Sequence, residues 1–266
     1  MANPYTSEFY RKSRIGSRNA AEAVVPIVMN LINPQSVVDV GCGEGEWLAC
    51  FSAHGCPRVH GIDGDYISRN SLSIPMELFQ AADLEALLTS LDFPKVSFDL
   101  AICLEVGEHL PKQLSKRLVE YLTSLAPIVL FSAAVPRQGG PGHINCQWPS
   151  FWFDLFESQG FVAFDPIRKH IWLDRQIPYW YAQNIFLMCS KKDRNKFHKL
   201  VKETPFDVHN HLTLLNAGIA WREPTLRDIP GIVMGVLQRS LKHWTDLATG
   251  KINASPGGSD ATKHSE

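Results

Sequence analysis

The sequence predicts an α/β fold with a seven-stranded, mostly parallel sheet and helices on both faces. Two observations lead to this prediction. Short apolar segments alternate with segments of helical periodicity through about the first 190 residues, which is the pattern of repeated βαβ units. The first apolar segment runs into VVDVGCGEG, with Asp39 before the glycines, and a second acid, Asp63, follows 24 residues later. Strand, glycine turn, helix, strand and acid in this order are how α/β proteins bind an adenosine-containing cofactor.

The expected strands follow the apolar segments in order. They lie at about 36–41, 58–63, 77–82, 98–104, 127–134, 161–165 and 184–190, and the helices between them at 45–54, 84–91, 112–125 and 149–159. Before the first strand, Ala20 to Leu31 has helical spacing, and Pro26 within it predicts a short or kinked helix. Right-handed crossovers place the loops after the first four strands along one edge of the sheet, where ligands bind.

The length of 266 residues suits one large domain with additions. We expect an N-terminal helical segment at 1–35, a cofactor-binding domain at 36–190, a helical extension at 191–252 and a disordered tail at 253–266. Within the extension, the apolar residues of 231–247 lie on one helical face, and a homodimer through this helix would bury that face.

Composition restricts the partners and the compartment. The net charge is −1, from 26 basic and 27 acidic residues, so we expect a small-molecule substrate rather than nucleic acid. No run approaches about 18 apolar residues, so no membrane span is expected. The six cysteines are scattered without a C-x-x-C pair and the N-terminus lacks a signal-peptide pattern, which predicts a cytoplasmic protein.

The glycine spacing narrows the choice of cofactor. Gly41, Gly43 and Gly45 alternate, and Glu46 stands where a dinucleotide-binding loop has its third glycine. Glu44 and Glu46 disfavour a phosphate-rich ligand, although a helix N-terminus still suits a single carboxylate. The segment resembles motif I of the class I S-adenosylmethionine-dependent methyltransferases. This resemblance implies a Rossmann-like methyltransferase fold with S-adenosylmethionine as the cofactor.

Further cofactor-binding candidates stand at the ends of the strands. Asp63 is expected to accept hydrogen bonds from the two ribose hydroxyls, and Asp39 to brace the backbone N–H groups of the glycine loop. The resemblance implies that Asp83 faces the adenine amino group, while the alternative role is an N-cap of the helix at 84–91. The complete set of cofactor-binding candidates is Asp39, Gly41, Cys42, Gly43, Gly45, Asp63, Asp83, Leu84, Leu104 and Glu105.

A carboxylate–histidine cluster follows the fourth strand. Residues 98–110, FDLAICLEVGEHL, contain Glu105, Glu108 and His109 at positions that share one face of a helical turn. Two adjacent carboxylates repel each other unless a cation joins them or one takes a proton, and with the imidazole they offer a partial shell for Mg²⁺ or Mn²⁺. The E-x-x-E-H spacing resembles a metal-dependent subset of methyltransferases, which includes plant small-RNA 2′-O-methyltransferases and some quinone O-methyltransferases.

In those RNA enzymes a later histidine completes the metal site, and the resemblance points to His143. It lies in the glycine-rich segment PRQGGPGHINCQWP after the fifth strand, which can approach a ligand closely and can move. Three interpretations of the cluster stay open. In the first, a metal is held by Glu105, Glu108, His109 and His143. In the others, His143 and His109 act as bases without a metal, or the cluster has only a structural role.

The acceptor is less well defined than the cofactor. The segments FSAAVPRQGGPGHINCQWPSFWFDLF, IWLDR and YWYAQNIFLMC resemble a bacterial family described only as S-adenosylmethionine-dependent methyltransferases, over about residues 5–190. The leading hypothesis is O-methylation of a small-molecule hydroxyl on a sugar or secondary metabolite. The alternatives are N-methylation of a small molecule or peptide, and a non-catalytic cofactor-binding partner of another enzyme.

Overall fold

A seven-stranded sheet forms the centre of the computed structural model, which describes residues 7–90 and 97–201, and the side chains of residues 14–90 and 97–200. The strands are β1 Ser36–Val40, β2 Arg58–Asp63, β3 Phe79–Ala81, β4 Leu100–Leu104, β5 Ile128–Ser132, β6 Phe161–Phe164 and β7 Phe186–Ser190. Their order is β3-β2-β1-β4-β5-β7-β6, with β7 antiparallel to both of its neighbours and the other pairs parallel. The predicted α/β fold with a mostly parallel sheet is therefore confirmed.

Helices cover both faces of the sheet, as expected. They are α1 Ser7–Ile32, α2 Glu46–Ala53, α3 Leu84–Thr89, α4 Ser115–Leu125, α5 Pro149–Ser158, α6 Arg168–Ile171, α7 Tyr179–Asn184 and α8 His198–Val201. One apolar cluster joins α1, α2 and α7 to the sheet, and a second joins α3, α4 and α5 to it. Side chains alternate along a strand, so on β4 Ile102 belongs to the first cluster and Cys103 to the second.

The first helix is longer than the sequence indicated. Of the short or kinked helix expected from Pro26, the short helix is wrong, because α1 runs from Ser7 to Ile32 with Pro26 inside. A proline within a helix costs about 3 kcal/mol. The apolar face of α1 offsets that cost, because all of its core residues are completely buried: Ala20, Ala21, Val24, Val25 and Val28. Tertiary packing thus outweighs the local helix-breaking effect.

The remaining expectations concern the ends of the chain. Within the segment 1–35, α1 shares its core with the sheet, since it packs into the same apolar cluster as α2. Of the extension at 191–252, a 3-10 turn at Arg194–Lys196 and α8 are described. The helix expected at 231–247, the dimer through it and the tail at 253–266 lie outside the described residues. None of the helices within 7–90 and 97–201 is long and apolar enough to cross a membrane.

Candidate active site

A cavity of about 1280 Å³ opens at the carboxyl edge of β1, β2, β3 and β4. This is where the strand order reverses, because β1 pairs with β2 on one side and β4 on the other. The cavity wall includes the glycine loop, the acids that end β2 and precede α3, and the carboxylate–histidine cluster. Of the site residues proposed from the sequence, all but Gly45 line it. The cofactor candidates and the catalytic candidates therefore share one space.

The backbone conformation of the glycine loop requires glycine at three of its positions. Gly41, Gly43 and Gly45 all have positive φ angles, of 84°, 54° and 85°. A Cβ atom on Gly41 would lie 2.3 Å from Cγ2 of Val106, so the loop can pass beneath the turn after β4 only with glycine there. Gly45 forms the left-handed N-cap of α2. The alternating glycines thus serve the backbone path of the loop itself.

Asp63 holds the glycine loop and also faces the cavity. Its Oδ2 accepts a hydrogen bond of 2.7 Å from Gly43 N–H, and its Oδ1 accepts one of 2.6 Å from Gly64 N–H. We expected Asp39 to brace the loop, but the carboxylate bonded to the Gly43 N–H is that of Asp63. Asp39 is almost completely buried beside the loop, and burial, followed by the charge of Asp63, raises its pKa well above the ordinary value.

Asp83 is the N-cap of α3. Its Oδ1 accepts hydrogen bonds from the backbone N–H groups of Glu85 at 2.9 Å and Ala86 at 3.2 Å. The capping role is therefore present in the structure. Asp83 and Leu84 also line the cavity, and the capping bonds described here engage only one carboxylate oxygen. The cap is thus compatible with a ligand role for the other oxygen.

Sequence reasoning missed a charged contact between α1 and the glycine loop. Glu46 is buried, and its carboxylate accepts hydrogen bonds from Nε of Arg14 at 2.7 Å and Nε of Arg18 at 2.8 Å. Burial alone would raise the pKa of Glu46, but the bonds from Ser73, Arg18 and Arg14 outweigh it, so the pKa is lowered. Glu46 is therefore a paired charge rather than a free one. Its carboxylate disfavours a phosphate-rich ligand less than the sequence alone indicates.

The carboxylate–histidine cluster surrounds a completely buried acid. Glu108, His109 and His143 offer ligand atoms that all lie within 4.8 Å of one another, with Nε2 of His143 at 4.0 Å from Oε1 of Glu108. Within the described residues, neither carboxylate oxygen of Glu108 accepts a hydrogen bond of normal geometry. Burial, followed by the charge of Glu105, raises the pKa of Glu108 well above the ordinary value, although the nearby backbone of Glu108 and Ala134 opposes this. An uncompensated carboxylate here would be costly.

The loop that carries His143 is tied to the turn after β4. The backbone N–H groups of Ile144 and Asn145 both donate to the carbonyl oxygen of Glu108, at 2.9 and 3.0 Å. The Asn145 side chain also donates to the Gly107 carbonyl at 3.1 Å. These bonds fix residues adjacent to His143 against the segment that carries the other two members of the cluster.

Both histidines of the cluster have lowered pKa values. Burial, followed by the proximity of His109, lowers the pKa of His143 to about 4. Burial also lowers the pKa of His109, although the Gly142 backbone opposes this. The two rings meet edge to face, with centroids 4.9 Å apart. At neutral pH both imidazoles are therefore uncharged, as a metal ligand must be.

Glu105 is not one of these three residues, but its carboxyl lies within hydrogen-bonding reach of the Glu108 carboxyl. Its Oε2 accepts a 2.8 Å hydrogen bond from the Gln138 amide, and its Oε1 accepts a 3.1 Å bond from the Asn184 amide. Burial raises the pKa of Glu105 despite these bonds. No local pattern indicates this network, because Gln138 and Asn184 are separated from Glu105 by 33 and 79 residues.

Comparison with known proteins identifies the family that this fold and site belong to. A family model described as a methyltransferase domain matches residues 10–210, well over half of the chain. The chain therefore belongs to this family, as a class I S-adenosylmethionine-dependent methyltransferase. No functionally curated protein matches the sequence.

Solved structures share the fold at low sequence identity. The sugar N-methyltransferase KedS8 from Streptoalloteichus sp. ATCC 53650 is 15% identical, with a TM-score of 0.53 over 71% of this chain and 94% of that one. Magnesium protoporphyrin IX methyltransferase from Synechocystis PCC 6803, solved with bound SAH, is 17% identical, with a TM-score of 0.50 over 72% of this chain and 90% of that one. At these identities the likeness concerns the fold alone.

Proposed function

We propose that this methyltransferase transfers the methyl group of S-adenosylmethionine to a hydroxyl of a small molecule, with a divalent metal at the carboxylate–histidine cluster. One observation carries the proposal. The buried carboxylate of Glu108, which accepts no hydrogen bond of normal geometry from the described residues, lies beside two neutral imidazoles in the same cavity as the glycine loop. N-methylation would not need this arrangement, because an amine nucleophile has a free lone pair when it is neutral.

The cofactor would lie across the carboxyl ends of β1, β2 and β3. Asp63 would bind the ribose hydroxyls, and the free oxygen of Asp83 would accept from the adenine amino group. The glycine loop would lie against the methionine part, because its backbone can approach a ligand closely. A cavity of about 1280 Å³ exceeds the usual range of up to about 1,000 Å³ for one ligand, which leaves room for an acceptor beside the cofactor.

The chemistry of the three donors fits Mg²⁺ or Mn²⁺. Glu108, His109 and His143 would hold the ion, and its charge would compensate the carboxylate to which no described residue donates a well-formed hydrogen bond. A bound ion acts as a Lewis acid that lowers the pKa of a hydroxyl. With a pKa of about 4, His143 is a weak base, and this favours the role of ligand over that of sole proton acceptor.

The protein would contribute mainly by positioning the acceptor oxygen against the methyl group of the cofactor. A lone pair of the acceptor oxygen forms a bond to the methyl carbon, the carbon–sulfur bond breaks and S-adenosylhomocysteine leaves, while the hydroxyl proton passes to solvent or to a nearby base. Tyr179 and Trp180 also line the cavity. Aromatic side chains suit the faces of sugars and ring compounds, which supports a sugar or secondary metabolite as acceptor.

The test uses the purified protein with S-adenosylmethionine and matched acceptor pairs, each a hydroxylated sugar or phenol and its amino analogue. We expect a methylated product from the hydroxyl compound, loss of turnover in EDTA, and recovery with Mn²⁺ or Mg²⁺. Unchanged turnover in EDTA would reject the metal, and methylation of the amines alone would reject O-methylation. No calorimetric binding of S-adenosylhomocysteine at millimolar concentration would reject the cofactor site.

A further inference from the structure

Asp63, which is proposed to bind the ribose hydroxyls, already accepts a hydrogen bond from a hydroxyl of the protein. The phenol of Tyr66 donates a 2.6 Å hydrogen bond to Oδ1 of Asp63. The same oxygen accepts from the Gly64 N–H at 2.6 Å, and Oδ2 accepts from the Gly43 N–H at 2.7 Å. Three donors from the described part of the chain thus surround one carboxylate at the edge of the cavity.

The acceptor capacity of Asp63 is too small for these donors and a ribose together. A carboxylate offers about four lone-pair positions, and three are taken. A ribose that presents two hydroxyl donors needs two positions, so one donor of the chain has to leave. The N–H groups of Gly43 and Gly64 are fixed by the backbone, whereas the Tyr66 side chain can rotate away.

The surroundings of Tyr66 allow it to leave. Its residue is 71% exposed, while the next residue, Ile67, is buried and anchors the turn. The ring lies across Gly64, where a Cβ atom would be 2.0 Å from Cε1 of the tyrosine. The absence of a side chain at Gly64 therefore lets the ring reach Asp63, while exposure to solvent leaves the ring a path outward.

We propose that Tyr66 is a displaceable internal ligand of the ribose site: its hydroxyl occupies the position on Asp63 that a ribose hydroxyl takes, and cofactor binding expels it. This inference rests on the proposed role of Asp63 in binding the cofactor. It makes Tyr66 a residue that sets cofactor affinity, and therefore product release, without a part in methyl transfer.

The test is calorimetric titration of S-adenosylhomocysteine into the wild-type protein and Tyr66→Phe, which removes only the hydroxyl. We expect the variant to bind about tenfold more tightly, equivalent to about 1.4 kcal/mol, because no hydrogen bond has to be broken first. Unchanged or weaker binding by Tyr66→Phe would overturn the proposal.

A second pair of variants shows whether the effect passes through Asp63. Asp63→Asn should bind S-adenosylhomocysteine more weakly than the wild type, and in this background Tyr66→Phe should bring no gain. A tenfold gain that persists in Asp63→Asn would contradict the proposed contact. If Asp63→Asn weakens binding while Tyr66→Phe alone changes nothing, the proposed ribose role of Asp63 is supported and the proposed displacement of Tyr66 is rejected. If the wild-type protein binds no S-adenosylhomocysteine, the proposed function itself fails.

Discussion

Replacement of Glu108 by glutamine tests whether a proton or a metal ion neutralises the buried carboxyl. Glutamine keeps the shape of the side chain and removes its charge. In the metal-free protein the pKa of Glu108 is raised well above its ordinary value of 4.5. The folded state therefore holds a proton that the unfolded state releases. The stability that this proton contributes is present below the unfolded pKa and is lost as the pH rises through the folded pKa.

The size of the effect follows from one proton. Between the unfolded and folded pKa values, the free energy of unfolding of the wild-type protein falls by about 1.4 kcal/mol per pH unit relative to Glu108→Gln. Asp39 also has a raised pKa, but it is present in both proteins and cancels in the difference. The variant should thus gain stability relative to the wild type as the pH rises in the presence of EDTA.

Urea unfolding followed by tryptophan fluorescence, at a series of pH values from 5 to 9, measures this difference. Mn²⁺ supplies the second half of the test, since an ion at one hundred times its Kd stabilises a protein by about 2.7 kcal/mol. We expect this gain in the wild type and its loss in Glu108→Gln. Parallel pH profiles in EDTA, or equal stabilisation of both proteins by Mn²⁺, would refute the reasoning.

Three further predictions concern the cofactor side of the cavity. Gly41→Ala should lower both stability and S-adenosylhomocysteine affinity, by about 1–3 kcal/mol in stability. Val106→Ala in the same chain should recover part of this, because the clash is with Val106; no recovery in thermal denaturation would contradict the contact. Glu46→Gln should cost about 1–2 kcal/mol of unfolding free energy at pH 7. Because the folded pKa of Glu46 is lowered, the difference should shrink as the pH falls below about 4.5, and a constant difference would argue against the ion pairs. Asp83→Ala should lose about 1 kcal/mol with the helix cap, whereas Asp83→Asn should keep the cap and still bind the cofactor more weakly; equal affinity in Asp83→Asn would remove its adenine role.

The strands could be predicted from the sequence because each is a short apolar segment between polar turns. Leu100 to Leu104 is completely apolar and buried on both faces, and such a segment needs no distant information to be recognised. The glycine loop was equally clear, since the positive φ angles at Gly41 and Gly45 impose a residue type at fixed spacing.

The contacts that join distant segments could not be predicted from the sequence in the same way. Glu46 indicated only a charge near the ligand, because its partner Arg14 lies 32 residues away on another helix. Glu105 followed the spacing of a metal ligand, yet Asn184, 79 residues later, shares its carboxylate. Local patterns record backbone conformation and burial, but not which polar group of another element arrives to satisfy a side chain.

The ion pairs of Arg14 and Arg18 with Glu46 make the N-terminal helix part of the equilibrium between free and cofactor-bound enzyme. Glu46 follows Gly45 directly, so any displacement of α1 is transmitted to the first turn of α2 beside the glycine loop. Thermodynamic linkage is reciprocal. Cofactor binding should therefore favour the docked position of α1 by the same factor by which detachment of α1 weakens cofactor binding. A tag fused ahead of α1 then becomes an experimental variable rather than a neutral handle.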